Sequence, residues 1–136
     1  MPDPHIYRMH VRFRDTDAQG HVYFANYLVF CDEAWGAYMR HIGFPYQDLA
    51  TLGVDTYYVK AQCEYSGSAL YEDEVQIETH VTRLGRTSIT TEFTVRDDQG
   101  NTLAKASVTS VCVDPTTRET TPIPDQLRTR IQAFES

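Results

Sequence analysis

The first segment of the chain, residues 6–14, alternates between apolar and polar side chains. Tyr7, Met9, Val11 and Phe13 are separated by arginines and a histidine. A period of two with one polar face is typical of a half-buried β-strand. The next six residues, 15–20, read Asp-Thr-Asp-Ala-Gln-Gly, which is the composition of a turn. The pattern therefore predicts a strand followed directly by a turn.

The period changes to three and four between about residues 22 and 42, which predicts an amphipathic helix. Its apolar stripe consists of Leu28, Cys31, Trp35, Tyr38, Met39 and Ile42. About twenty residues at about 1.5 Å each give a helix about 30 Å long. Gly43 and Pro45 are expected to end it, and residues 46–52 can form one further helical turn.

Four more strands are predicted between residue 56 and residue 113. The first covers residues 56–66, and the next two are centred on Val75–Ile77–Val81 and on Ile89–Phe93–Val95. Hairpin turns are expected at Gly85-Arg86 and at residues 97–100. The last strand, residues 102–113, is apolar or small on both faces, so we expect it to be central and covered on both sides. A short helix over residues 124–134 closes the chain.

Consecutive hairpins make an antiparallel sheet, and a sheet with one apolar face must cover that face. The segment from Leu28 to Ile42 is the helix that is long and apolar enough to do so. The prediction is an α+β fold in one domain, residues 1–136.

Amino-acid composition argues against several classes of function. Twelve Lys and Arg against nineteen Asp and Glu give a net charge of -7, which argues against a nucleic-acid partner. No apolar run approaches the ~20 residues of a membrane span, and the N-terminus lacks a secretory pattern, so a cytoplasmic protein is expected. Cys31, Cys63 and Cys112 are interpreted as reduced thiols, and the scattered histidines predict no metal site.

The turn between the first strand and the helix is the candidate for chemistry. Asp15 and Asp17 lie where the free N–H groups and positive dipole of a helix N-terminus can stabilise an oxyanion. A carboxylate there can attack an acyl carbon or activate water. From spacing alone, a helix cap or a turn residue is the commoner role of such an aspartate, and that alternative stays open.

The segment from Asp15 to Tyr27 has the pattern Asp-x-Asp-x-x-Gly-x-Val-Tyr-x-x-x-Tyr. It resembles the signature of the 4-hydroxybenzoyl-CoA thioesterase family, including its relatives associated with the Tol–Pal gene cluster. The resemblance spans about residues 6–114. It implies a hotdog fold, in which a five-stranded antiparallel sheet wraps around one long central helix, and the activity of an acyl-CoA thioesterase.

The resemblance also implies roles for single residues. Asp17 falls on the catalytic aspartate, as nucleophile or general base, and Asp15 becomes structural. The oxyanion donor falls on the backbone N–H of Phe24 or Tyr23, and Gly20 and Tyr27 join them in the substrate site. Position 24 is a histidine in one branch of the family. Phe24 transfers no proton, which leaves Asp17 nearly alone, and His21 is interpreted as structural.

Coenzyme A is part of the expected substrate, and no separate cofactor is expected. Its phosphates need cations, and the resemblance puts Arg83, Arg86 and Ser88 near its path. Exposed arginines at a turn are, however, often only solvated. Lys60 and Lys105 are weaker candidates.

Members of the family form dimers, often paired into tetramers, with active sites between protomers. A homo-oligomer is therefore expected here. Three alternatives remain open: a hydratase or dehydratase on acyl thioesters, a non-catalytic acyl-CoA-binding protein, and a structural partner in an envelope complex. An acyl-carrier-protein substrate in place of free coenzyme A is not distinguished by the sequence.

Overall fold

The computed structural model describes residues 3–136 as a five-stranded antiparallel sheet with three α-helices. The elements, in chain order, are β1 (His5–His10), a short 3-10 helix (Phe13–Asp15), α1 (Asn26–His41), α2 (Tyr46–Thr51), β2 (Asp55–Tyr65), β3 (Glu74–Leu84), β4 (Ser88–Asp97), β5 (Thr102–Val113) and α3 (Asp125–Glu135). The predicted α+β class is confirmed. No helix in this part of the chain has the length and apolarity to cross a bilayer.

The strand order is β1-β3-β4-β5-β2, so β4 and not β5 is the central strand. The prediction that β5 is central was wrong by one position, because the chain returns from the helices to form β2 along the far edge. The outer face of β5 is apolar only toward its ends, where loops lie over it. Leu103 lies under Gly67, and Val113 bridges to Thr120.

The helix α1 is sixteen residues long, about 24 Å, and begins four residues later than predicted. Residues 22 and 23 are held in other contacts: the Val22 N–H donates to the Ala69 carbonyl, and the Tyr23 N–H donates to the Asp15 carbonyl. The predicted end is confirmed, since Gly43 adopts a φ of 78° just beyond the helix.

Two boundaries also differ from the prediction. The first strand stops at His10, so Arg14 lies in the 3-10 helix rather than in a strand. In the β3–β4 hairpin the Gly85 N–H donates to the Ser88 carbonyl at 2.8 Å, so the two turn residues are Arg86 and Thr87. The turn is one residue later than expected.

The core lies between the sheet and the helices, and α1 and α3 contribute most of its helical side chains. Phe30, Ala34 and Tyr38 of α1 are fully buried against the sheet. Leu127 and Ile131 of α3 are buried as well, in a second cluster around the C-terminal half of α1. The sequence predicted that α1 alone covers the sheet, but α3 covers part of it.

If α3 is part of the core, Ile131→Ala should lower the free energy of unfolding by about 2–5 kcal/mol, because it removes a fully buried side chain. Urea denaturation measures the change. The exposed neighbour Gln132→Ala is the control and should stay within about 0.5 kcal/mol of the unsubstituted protein. Equal stability of the two variants would mean that α3 is not packed as described.

Candidate active site

Asp15 is buried, with 3% of its surface exposed, and its carboxylate is bound entirely by Arg12. It accepts hydrogen bonds from the Arg12 backbone N–H at 2.8 Å, from Nε at 3.0 Å and from Nη2 at 3.1 Å. Burial acts to raise the pKa of Asp15, but the hydrogen bonds and charge of Arg12 outweigh it and hold the pKa below its ordinary value of 3.8. This carboxylate is engaged in structure.

The carbonyl of Asp15 is the anchor for the start of α1. It accepts the Tyr23 N–H at 3.0 Å and the Asn26 side-chain amide at 3.0 Å. Asp15 therefore joins the turn before the helix to the first helical residue. The sequence pattern contained Asn26 but gave no signal for this contact, because it spans eleven positions.

Asp17 begins a small hairpin closed by the bridge between Thr16 and Val22. Its N–H donates to the His21 carbonyl at 3.0 Å, and its Oδ1 accepts the Gln19 N–H at 2.8 Å. Gly20 makes the turn with a φ of 86°, a conformation that other residues rarely adopt. Within residues 3–136, Oδ2 of Asp17 has no hydrogen-bond partner.

The capping alternative is wrong for α1, since the N-cap is Ala25 and no side chain caps it. The alternative that Asp17 is a turn residue is confirmed for its Oδ1, which accepts the Gln19 N–H. One carboxylate oxygen therefore builds the turn and the other is available.

The backbone N–H of Phe24 is the better of the two predicted oxyanion donors. The Tyr23 N–H is already bound by Asp15, whereas the N–H groups of Phe24 and Ala25 have no acceptor among the described residues. They stand at the positive end of the α1 dipole, where an anion is stabilised.

Three exposed aromatic side chains surround this end of the helix. The hydroxyl of Tyr65 in β2 donates to the Phe24 carbonyl at 3.0 Å, and the two rings meet edge to face. Tyr23 lies against Phe24 with ring centroids 4.9 Å apart. The sequence analysis did not select Tyr65, because the alternation of side chains along β2 did not distinguish it from its neighbours.

Tyr27, predicted to contact substrate, is instead a core residue with 2% exposure. Its hydroxyl accepts the Ala69 N–H at 3.1 Å. The side chain lies behind the site rather than in it.

A cavity of about 260 Å³ lies between α1 and strands β2, β4 and β5. Its lining residues are Leu28, Val29, Cys31, Asp32, Trp35, Tyr58, Ala61, Thr91, Phe93, Val108 and Ser110. The walls are mostly apolar, and the Tyr58 hydroxyl donates to Asp32 at one side. Leu28 belongs to the first turn of α1, four residues from Phe24, so the cavity begins within about 6 Å of the helix start along its axis.

Burial raises the pKa of Cys31 to about 12, so the thiol in this cavity is neutral at neutral pH and is not a nucleophile. No group of three His, Cys, Asp or Glu side chains within residues 3–136 is arranged to hold a metal ion.

The predicted coenzyme A residues lie at the other end of the sheet from Asp17. The Asp17 hairpin contacts Ala69 and Leu70, just before the start of β3. Arg83 and Arg86 are exposed at the opposite end of the same strand. Ten residues of strand separate the two ends, about 33 Å. Within one chain, the structure does not bring Arg83, Arg86 or Ser88 together with Asp17.

A carboxylate at the start of a helix that crosses a five-stranded antiparallel sheet, beside an apolar cavity, defines an α+β protein of the hotdog type. The chain matches the Thioesterase-like superfamily over residues 11–131, and it belongs to that family. The predicted α+β fold with a five-stranded antiparallel sheet, and the predicted class of thioester hydrolase, are confirmed; the single long central helix is not, since α1 has sixteen residues and α3 shares the core.

Individual relatives agree with that placement. The chain is 34% identical over 112 residues to the acyl-CoA thioester hydrolase YbgC of Escherichia coli O6:H1, covering 81% of this chain and 84% of that protein. It is 30% identical over 126 residues to the 1,4-dihydroxy-2-naphthoyl-CoA hydrolase of Synechococcus elongatus, covering 90% of each. The structure of BH1999 gentisyl-coenzyme A thioesterase superposes with a TM-score of 0.83 at 30% identity, covering 91% of this chain and 99% of that one.

The Arg12–Asp15 pair makes a prediction about pH. Asp15→Asn should lower the free energy of unfolding by about 1–3 kcal/mol at neutral pH, because it removes charge-assisted hydrogen bonds. The folded pKa of Asp15 is below 3.8, so its contribution is present above that value and is lost as pH falls through the folded pKa. Urea denaturation at neutral pH and near pH 3 should show the gap between wild type and variant narrowing in acid. A gap that is the same at both pH values would contradict this role.

Proposed function

We propose that the protein hydrolyses acyl-coenzyme A thioesters to a free acid and coenzyme A, with Asp17 as the catalytic carboxylate. One observation carries the proposal: an available oxygen of Asp17 lies in the hairpin that leads directly to unpaired N–H groups at the start of α1. The names of the relatives, which are acyl-CoA thioester hydrolases, support the same reaction.

In the proposed reaction the thioester oxygen lies against the Phe24 N–H, which stabilises the negative charge of the tetrahedral intermediate. Asp17 acts in one of two ways. As a nucleophile, its carboxylate bonds to the acyl carbon, the C–S bond breaks, and water then hydrolyses the mixed anhydride. As a general base, it takes a proton from the water that attacks the acyl carbon. In both cases the coenzyme A sulfur leaves and is protonated.

The acyl group is proposed to occupy the cavity beside Leu28 and Trp35. A volume of about 260 Å³ lies just below the ~300–1,000 Å³ typical of pockets for drug-sized ligands. This size and the aromatic walls favour a compact acyl group, such as one aromatic ring system, over a long alkyl chain. Whether the thiol half is free coenzyme A or an acyl-carrier protein is decided by the second test below.

The coenzyme A phosphates are proposed to bind the β3–β4 hairpin of a partner protomer in a homodimer. β2 is an edge strand of eleven residues with mostly exposed side chains, which is a surface for pairing with a second copy. Its Asp55 end lies at the same end of the sheet as the hairpin, and its Tyr65 end contacts Phe24.

Pairing two β2 strands antiparallel about a two-fold axis would therefore bring the partner's hairpin to the end of the sheet that carries Asp17. The length of β3, about 33 Å, would then no longer keep the arginines apart from Asp17. A dimer is the smallest assembly that completes this site, and a tetramer built from such dimers keeps the same contact.

The first test is the release of thiol from acetyl-, benzoyl- and palmitoyl-coenzyme A by wild type and Asp17→Asn. We expect wild type to prefer the benzoyl thioester and the variant to lose at least about 100-fold in kcat, because the catalytic carboxylate is neutralised. Asp98→Asn, in the exposed β4–β5 hairpin, is the matched control and should keep full activity. Equal hydrolysis by wild type and Asp17→Asn would remove Asp17 from the mechanism. Binding without hydrolysis by any variant would instead favour a non-catalytic acyl-CoA-binding protein.

The second test concerns the phosphates. Arg83→Ala combined with Arg86→Ala should raise KM for an acyl-coenzyme A about threefold to tenfold with little change in kcat, because charge-assisted phosphate contacts are lost. KM for the matching acyl-pantetheine, which has no phosphate, should be unchanged. Equal changes for both substrates, or no change for either, would contradict a coenzyme A site at this hairpin. Wild type that turns over acyl-coenzyme A no better than acyl-pantetheine would point to a carrier-bound substrate.

A further inference from the structure

Glu135, in the last turn of α3, has a carboxylate that is only 16% exposed and binds three groups from two other elements. Its Oε2 accepts the Tyr38 hydroxyl at 2.6 Å and the Val81 N–H at 2.8 Å. Its Oε1 lies 3.1 Å from His80 Nδ1. A charge that is removed from water to this extent is tolerated because donors surround it.

One of these contacts closes the edge of the sheet. β1 pairs with β3 only as far as Thr79, opposite His5. The Val81 N–H lies just beyond that point, where a strand partner is missing. Glu135 accepts the hydrogen bond that a longer β1 would have accepted, so part of its role is to seal a strand edge.

The contact with Tyr38 connects Glu135 to the cavity. The Tyr38 ring is fully buried and stacks on Trp35, with centroids 5.2 Å apart and planes 17° from parallel. Phe134 of α3 meets the same ring edge to face at 5.2 Å. Trp35 is one wall of the 260 Å³ cavity. The end of α3 is therefore two side chains away from the space proposed for the acyl group.

Tyr38 cannot keep its position independently of Glu135. Its hydroxyl is buried, and a buried hydroxyl without an acceptor is strongly unfavourable. If the carboxylate is removed, the ring must turn or move toward water, and Trp35 loses the surface on which it stacks. Closely packed side chains transmit such a shift because the interior has little free volume.

We propose that Glu135 is a positioning residue for substrate selection: through Tyr38 it fixes the Trp35 wall of the cavity, so that the docking of α3 sets which acyl groups fit. The inference rests on the proposed function for the identity of the cavity's occupant. The position of the wall itself can be tested without turnover.

Sealing the strand edge and positioning Trp35 predict different behaviour for Glu135→Ala made in the Tyr38→Phe background. Tyr38→Phe keeps the ring, removes the hydroxyl and leaves Glu135 bound to Val81 and His80. If Glu135 acts through the Tyr38 hydroxyl, no buried hydroxyl is then left without an acceptor, so Tyr38→Phe should leave Trp35 close to wild type and Glu135→Ala should add little to it. If Glu135 acts only by sealing the strand edge, Glu135→Ala should have the same effect in both backgrounds.

The experiment uses Trp35 as its own reporter, since the chain has one tryptophan. We expect Glu135→Ala to shift the Trp35 emission and to increase its quenching by acrylamide, whereas Tyr38→Phe and the double variant should stay close to wild type. Glu135→Gln, which keeps an acceptor for both Tyr38 and Val81, should stay close to wild type. Gln132→Ala, exposed on the same helix, should give the wild-type spectrum.

Kinetics supply the second readout. With benzoyl-coenzyme A, Glu135→Ala should raise KM about threefold to tenfold while kcat stays within about twofold, since coupling through packed side chains is of that size. The double variant with Tyr38→Phe should keep a KM close to that of wild type. Wild-type fluorescence in Glu135→Ala, or a shift of equal size in the double variant, would overturn the inference, whether or not the protein is a thioesterase. Altered fluorescence in a protein without thioesterase activity would support the positioning of Trp35 and overturn only the proposed function.

Discussion

The site depends on one ion pair, between the exposed Arg12 and the buried Asp15. The side chain of Asp15 closes the chain on Arg12 directly after β1, while its carbonyl holds Tyr23 and Asn26 at the start of α1. The Asp17 hairpin lies between these two contacts along the chain. A carboxylate that acts on a thioester must keep its place within a fraction of an ångström relative to the oxyanion donor. The Arg12–Asp15 pair supplies this constraint for the proposed reaction, because the segments that carry Asp17 and the Phe24 N–H are both attached to Asp15.

The sheet separates the functions that the substrate requires. Hydrolysis is proposed at the start of α1 and the acyl group along the middle of that helix, whereas the arginines proposed for the phosphates stand at the far end of β3. A single chain therefore has the proposed catalytic carboxylate without a nearby phosphate site. The proposed pairing of two copies through the edge strand β2 would meet both requirements, since antiparallel pairing brings opposite ends of the two sheets together.

The sequence predicted the five strands and the three α-helices because most have a clear hydrophobic period and most are bounded by Gly, Pro or Asp; it did not predict the 3-10 helix at Phe13–Asp15. Its errors have physical causes. The α1 start was placed at residue 22, because Val22 continues the apolar pattern while its N–H is bound to Ala69. The strand β5 was placed in the centre because loops, rather than a second layer, cover its outer face.

At the site, spacing alone pointed to Asp15 and Asp17, and the role of the Phe24 N–H came from the resemblance to the family. Neither could find Arg12, Tyr65 or Glu135 as partners, because the signal in each case is a contact that only the folded chain creates. The resemblance also assigned Tyr27 to the substrate, although its side chain turns into the core. Periodicity tells which face of a helix is buried; it does not tell which buried residues line a cavity.

The most direct test of the account is a crystal structure with a non-hydrolysable analogue of benzoyl-coenzyme A, in which a ketone replaces the thioester. The account predicts that the ketone oxygen accepts the Phe24 N–H, that the carbonyl carbon faces the available oxygen of Asp17, and that the phenyl ring lies against Trp35. A ketone bound away from the start of α1, or a ring outside the cavity between α1 and the sheet, would contradict it.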